Sequence, residues 1–109
     1  MDVRFTPDGQ QLVVADQFNN RVQCLALDGS FVRKMLLGDL CRAVAVDAAG
    51  NIIAATPTHV KVFSPEGTLL HGRLGGLEMG VAARGGMDID TSSGRIAVGD
   101  ARPGKVTLL

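Results

Sequence analysis

The sequence predicts an all-β protein whose antiparallel four-stranded sheets are consecutive blades of a partial β-propeller. Three segments of the 109-residue chain repeat one order: a short strand, a glycine turn, an apolar strand, a polar loop and a third strand. The turn glycines Gly9, Gly50 and Gly94 lie 41 and 44 residues apart, and about 40 to 45 residues is the usual length of a propeller blade. The segments are rich in Val, Ile, Leu and Thr, which favour strands over helices. We therefore expect one domain, residues 1–109, with about 2.75 blades.

The first repeat, about residues 2–38, contains four predicted strands, named a to d in each blade. PDG and LDGS supply Gly9 and Gly29 at turns whose backbone conformation suits glycine. Short turns of this kind join antiparallel neighbours. The predicted strands are Val3–Thr6, Gln11–Asp16, Arg21–Asp28 and Ser30–Leu36.

The second and third repeats follow the same plan at about residues 41–75 and 86–109. Gly50, Gly67 and Gly94 are their predicted turn glycines, and the third repeat lacks an outer strand d. Stretches such as LVVA, NIIAA and VQCLAL are apolar on both faces, which indicates sheets that are sandwiched between neighbouring sheets. The predicted strands are Ala43–Asp47, Asn51–Thr56, His59–Ser64 and Thr68–Leu74, then Met87–Asp90, Arg95–Asp100 and Lys105–Leu109.

Composition gives no general attraction to nucleic acid or to membranes, so any such binding would have to come from a local patch. Eleven basic residues balance eleven acidic ones, so the chain has no overall charge that attracts nucleic acid or an anionic membrane. No apolar run approaches the roughly 18 residues of a membrane helix. The two cysteines form no CxxC pair and no disulfide framework, which favours a reducing compartment and a cytoplasmic location. Cys24 occupies an apolar strand position and is expected to pack as a small apolar residue.

Strand direction divides the loops between two faces. Strands alternate in a meander, so the b–c loops and the connections between blades share one face, and the a–b and c–d turns share the other. Binding residues usually lie on the longer loops of a rigid scaffold, so we take the b–c face as the candidate binding face. Its candidate binding residues are Asn19, Asn20, Arg21, Arg42, His59, Arg84, Arg102 and Lys105.

Most polar residues of this face also have a structural explanation. Asp16 and Asp100 end b strands, where a carboxylate commonly accepts backbone N–H bonds of its own loop. Asn19 and Asn20 suit turn positions, including those with positive φ. Arg21 has two open interpretations: its guanidinium pairs with an Asp such as Asp16, or it points outward to an acidic partner, a phosphate or a base.

The first repeat resembles the NHL-repeat β-propellers. The resemblance rests on an apolar strand with Asp8 and Gly9, a strand that ends in Ala15 and Asp16, a loop with Asn and Arg, a Val-rich strand and a second glycine turn. The second repeat departs from it, with Thr56 at the position of Asp16 and His59 at that of Arg21. The resemblance implies a ring of about six blades, so further blades or self-association are needed to close a ring.

The resemblance also implies a function. NHL propellers resemble the protein- or RNA-binding ends of larger proteins, including ubiquitin ligases, so we expect a non-enzymatic scaffold that binds protein through its b–c and interblade loops. An RNA-binding face is one alternative, although the chain has few aromatic residues to stack on bases. A second alternative is a fragment of a metal-dependent six-bladed lyase or lactonase-like hydrolase. The chain has no nucleophile, zinc or phosphate-loop motif, so we expect no catalytic residue, metal or cofactor.

Overall fold

A computed structural model of the chain describes residues 2–57, 59–74, 87–90, 95–99 and 106–108. Within these ranges the chain consists of β-strands, turns and one short 3₁₀ turn, Gln17–Asn19. The strands are β1 Asp2–Phe5, β2 Gln11–Asp16, β3 Arg21–Ala26, β4 Phe31–Leu36, β5 Ala43–Val46, β6 Ile52–Ala55, β7 Val60–Phe63, β8 Leu69–Leu74, β9 Met87–Asp90, β10 Arg95–Gly99 and β11 Val106–Leu108.

The strands form three antiparallel meanders that follow one another along the chain. Sheet 1 has the order β1-β2-β3-β4, sheet 2 has the order β5-β6-β7-β8, and sheet 3 pairs β9, β10 and β11 in the same way. This is the all-β architecture of four-stranded blades that the repeats predict. Within each sheet, every strand pairs with its neighbour in sequence, as short turns favour.

Glycine turns set the ends of the strands. Gly9 donates its N–H to the carbonyl of Thr6 at 2.9 Å, and Gly50 donates to the carbonyl of Asp47 at 3.0 Å. Both glycines have positive φ, +70° and +87°, a conformation that residues with a Cβ rarely adopt. Strand c of the first repeat is shorter than predicted and ends at Ala26, because the carbonyl of Ala26 accepts a 2.9 Å bond from Gly29 N and closes the c–d turn.

Two apolar cores lie on the two faces of sheet 2. The alternation of side chains along a strand sends successive residues to opposite faces, so Ile52 joins one core and Ile53 the other. The core between sheets 1 and 2 contains Val13, Ala15, Val22, Cys24, Met35, Leu37, Cys41, Val44, Ile52, Ala54 and Phe63. The core on the opposite face contains Ala43, Ala45, Ile53, Ala55, Val60, Val62 and Ile96 of sheet 3. The prediction of a sheet sandwiched between two others is confirmed for sheet 2.

Polar contacts also join sheets 1 and 2. The Asp2 carboxylate of β1 accepts a 3.2 Å bond from the backbone N–H of Val44 in β5. Lys61 Nζ donates to the carbonyl of Leu37 at 2.8 Å. These bonds tie sheet 2 to the inner strand of sheet 1 and to the interblade connection.

In the part of the chain that the structure describes, no helix is long and apolar enough to cross a membrane.

Candidate functional site

The b–c loop of sheet 1 is held by a carboxylate. Asn19 Nδ2 donates to both oxygens of Asp16 at 3.0 Å, and Arg21 Nε donates to Asp16 Oδ2 at 2.8 Å. Asn20 has a φ of +53° in the left-handed region, as the sequence suggested for an Asn in this loop. Its carbonyl accepts a 2.9 Å bond from Leu37 N, which joins the loop to the interblade connection. The loop is therefore a closed polar unit with a defined shape.

One detail of this loop differs from the prediction. We expected Asp16 to accept backbone N–H bonds, but its recorded partners are the side chains of Asn19 and Arg21, and it makes no side-chain bond to the start of the 3₁₀ turn. The reason is that Arg21 lies directly opposite Asp16 in the β2–β3 register. An arginine at that position offers a donor that is itself charged, so its bond to the carboxylate joins two ionised groups.

Of the two interpretations of Arg21, the structure therefore supports the one in which its guanidinium pairs with Asp16. Its side chain is 28% exposed, and the Gln23 amide, oriented with its oxygen toward the guanidinium, accepts from Arg21 Nη2 at 2.6 Å. The Arg21 guanidinium, followed by the Asn19 amide, holds the pKa of the Asp16 carboxyl below its ordinary value of 3.8. The carboxylate is thus charged at neutral pH, and the main role of Arg21 is to hold the conformation of the loop.

The b–c loop of sheet 2 uses a hydroxyl at the corresponding position. Thr56 Oγ1 accepts the backbone N–H of His59 at 3.1 Å and lies 3.0 Å from His59 Nδ1, and Thr56 N donates to the carbonyl of His59 at 2.8 Å. Thr56 is fully buried and His59 is 8% exposed. His59 therefore presents little surface to a partner, and its binding role stays a prediction that the geometry does not favour.

The first b–c loop also exposes a large apolar residue. Phe18, the middle residue of the 3₁₀ turn, is 88% exposed. It lies between Asp16 and Arg21, whose mutual bonds fix the backbone on both sides of it. Phe18 is not among the binding residues predicted from the sequence, which in this loop are all polar. The signal for Phe18 in the sequence is that it is a single aromatic residue inside a polar turn.

Three predicted binding residues, Arg84, Arg102 and Lys105, lie outside the described residues, as do the predicted turn residues Gly94 and Asp100. Arg42 is described and is partly buried at the start of blade 2, where its backbone N–H donates to the carbonyl of Ala55 at 2.7 Å. The structure thus brings Asn19, Asn20 and Arg21 together in one loop.

A cavity opens on the opposite face, among the a–b and c–d turns of sheets 1 and 2. It has a volume of about 360 Å³, near the lower limit for small-molecule pockets. Arg33 is its cationic residue, and Arg33 Nη1 donates to the carbonyl of Pro65 at 3.1 Å and to Gln11 Oε1 at 3.5 Å. Asp8 and Glu66 lie at its margin. The cavity was not predicted from the sequence, because it forms between two blades, where Arg33 and Pro65 are 32 residues apart.

The described residues offer little for catalysis. Both cysteines are free and buried; burial raises the pKa of the Cys24 thiol and raises that of Cys41 to about 12, so neither is a thiolate at neutral pH. Among the residues that the structure describes, no three His, Cys, Asp or Glu side chains come together as a metal site.

Comparison with known proteins identifies the fold. No protein-family model and no curated protein matches the chain. A protein of unknown function from Desulfotomaculum acetoxidans matches with a TM-score of 0.77 and 18% identity over 99% of this chain. A gluconolactonase from Xanthomonas campestris matches with a TM-score of 0.66 and 22% identity over 91% of this chain. The chain spans 38% and 34% of the lengths of these two proteins. Together with the three meanders, these likenesses show a propeller-like all-β fold.

Proposed function

We propose that this chain is the part of a β-propeller that binds a protein partner through its b–c face, with Phe18 as the apolar anchor. The observation that carries this proposal is the presentation of Phe18, a nearly fully exposed phenylalanine on a turn that the bonds of Asp16, Asn19 and Arg21 hold in place. Aromatic residues on rigid supports are the typical energetic centres of protein interfaces. A preorganised turn also lowers the conformational entropy that binding must overcome.

The charge of the loop supports a protein partner over RNA. Arg21, the basic residue of this loop, is already bonded to Asp16 and Gln23, so it adds little free positive charge for a phosphate backbone. A protein surface with an apolar pocket and a polar rim suits Phe18 and its neighbours better. If an RNA-binding function operated instead, binding would weaken steeply as salt increases.

A lactonase-like hydrolase is the second candidate, because one solved structure of similar fold is a gluconolactonase. At 22% identity that likeness carries the fold alone. The assay is direct: the purified chain is incubated with glucono-lactone, with and without added divalent cations. Turnover that a chelator abolishes would replace the binding proposal with an enzymatic one.

Site-specific crosslinking tests the binding proposal. A photoreactive phenylalanine analogue at position 18 is expected to crosslink one partner protein in cell extract. The same analogue at Leu27, which is exposed in the c–d turn of the opposite face, serves as the matched control. The partner, once identified and purified, is expected to bind Phe18→Ala at least about tenfold more weakly than wild type. Equal crosslinking at both positions, or unchanged affinity for Phe18→Ala, would contradict the proposal.

A further inference from the structure

Sheet 1 has one apolar face whose inner strand, β1, the described residues leave exposed. The register places Val3 opposite Val14, Phe5 opposite Leu12, and Leu12 opposite Leu25, so these five residues share one face. We name this set, Val3, Phe5, Leu12, Val14 and Leu25, the open face. Val3 is 45% and Phe5 is 66% exposed, Leu12 and Leu25 are partly buried, and Val14 is buried. The open face forms an apolar group across three strands, unlike scattered surface residues, and Gln23 borders it opposite Val14.

The same positions in sheet 2 are covered. Strand order and the turn bonds of Gly9 and Gly50 align the two sheets. The counterparts of the open face are Val44, Val46, Ile52, Ala54 and Phe63, and they belong to or pack against the core formed with sheet 1. The face of sheet 1 that covers them carries Val13, Ala15, Val22 and Cys24. The open face of sheet 1 therefore resembles the face of sheet 2 that sheet 1 covers, and its composition suits a surface that another blade covers.

Sheet 3 has the register positions that such a covering face needs. Ile96 packs in the core with sheet 2, so its neighbour Ala97 lies on the other face of β10. Ala97 pairs with Leu108 and Gly99 pairs with Val106. These four positions correspond in strand order to Val13, Ala15, Val22 and Cys24 of sheet 1, and they too hold small or aliphatic residues.

We propose that two copies of this chain associate head to tail, with sheet 3 of each copy covering the open face of the other. Each copy supplies three sheets, so a pair supplies six, within the range of 4 to 8 blades found in closed propellers. Both interfaces are equivalent by two-fold symmetry, as closed dimers require. The net charge of zero adds no overall repulsion between copies.

The first experiment measures mass in solution. Light scattering on the purified 109-residue chain over a range of concentrations is expected to give twice the monomer mass of 11.4 kDa. A blade from a longer polypeptide is the other possible occupant of the open face, and in that case this chain alone would be a monomer at every concentration. That result would overturn the proposal.

Three variants test the arrangement. Phe5→Glu places a charge on the open face and Ala97→Glu places one on the covering face of sheet 3, and each is expected to raise the dissociation constant of the pair at least about tenfold. Leu70→Glu is the control, because Leu70 is 49% exposed on the outer strand of sheet 2; it should leave the dissociation constant unchanged. Circular dichroism confirms that each variant is folded, and Val3→Glu replaces Phe5→Glu should the latter fail to fold.

The variants also distinguish the geometry of the pair. A dimer that is insensitive to Phe5→Glu would show that the open face is not the interface and would overturn the proposal. A dimer weakened by Phe5→Glu but not by Ala97→Glu would be a pairing of two open faces, which overturns the head-to-tail arrangement. A loss of association in both variants, with Leu70→Glu unaffected, is the result that supports it.

Discussion

At the scale of single residues, two blades use different chemistry for the same task. Asp16 ends β2 and Thr56 directly follows β6. Each accepts a hydrogen bond from the start of the return, from Arg21 in β3 or from His59 just before β7. In sheet 1 the bond joins opposite charges near the surface, and in sheet 2 it joins neutral groups that are buried. The first pair should therefore respond to pH and salt, because exposed ion pairs are screened and titrate, whereas the hydroxyl of Thr56 does not.

Asp16→Asn is expected to destabilise the chain at neutral pH and to have little effect in acid. The folded pKa of Asp16 lies below its ordinary value of 3.8 because Arg21 and Asn19 bond the carboxylate. Its contribution to the free energy of unfolding is therefore complete above that ordinary value and is lost as pH falls through the lower folded pKa. Urea unfolding at about pH 7 and at about pH 3 measures this, and the gap between the wild-type and variant midpoints should narrow in acid.

Glu66→Gln is the control for this prediction, since it removes one exposed carboxylate from the opposite face. A gap of constant size at both pH values for Asp16→Asn would show that the charge of Asp16 does not stabilise the loop.

At the scale of strands and turns, the sequence predicts most of the fold because each turn carries its own signal. Gly9, Gly29, Gly50 and Gly67 all have positive φ, and the strand limits follow from them to within about two residues. The bulge between Cys24 and Leu25 in the β3–β4 pairing has no such signal, because it depends on how two strands match in register. The burial of His59 was also unpredictable, because a polar residue at a strand end is normally exposed.

Gly67→Ala is expected to destabilise the chain more than Gly9→Ala. Both substitutions place a Cβ at positive φ, which costs about 1 to 2 kcal/mol. At Gly67 the added Cβ would also lie 3.2 Å from Arg33 Cδ and 3.4 Å from Met35 Sδ, both in sheet 1, whereas at Gly9 no heavy atom lies within 4 Å. Urea unfolding of the two variants measures the difference. Equal losses would mean that Arg33 and Met35 move aside without cost.

At the scale of the whole molecule, sheet 2 connects the two cores, and the sites arise between blades. The cavity beside Arg33 is lined by residues of two sheets that are distant in sequence. The open face of sheet 1 is recognised because the corresponding face of sheet 2 is covered by its neighbour. Sequence periodicity identifies which residues alternate between faces, but it does not state which face a neighbour covers. This is why the b–c face was predictable from strand direction, whereas the cavity and the open face required the arrangement of the sheets.

Ile52→Ala and Ile53→Ala separate the two cores. The residues are adjacent in β6, are both 1% exposed, and belong to opposite cores. Each truncation removes the same atoms and should cost about 2 to 5 kcal/mol. Hydrogen exchange measured by mass spectrometry should show faster exchange in β2 and β3 for Ile52→Ala, and in β10, which contains Ile96, for Ile53→Ala. The reason is that each cavity removes contacts from the sheet that faces it, while the other core keeps its packing. Identical exchange patterns in the two variants would show instead that the three sheets open as one cooperative unit, in which case sheet 2 would transmit a defect in either core through its own strands.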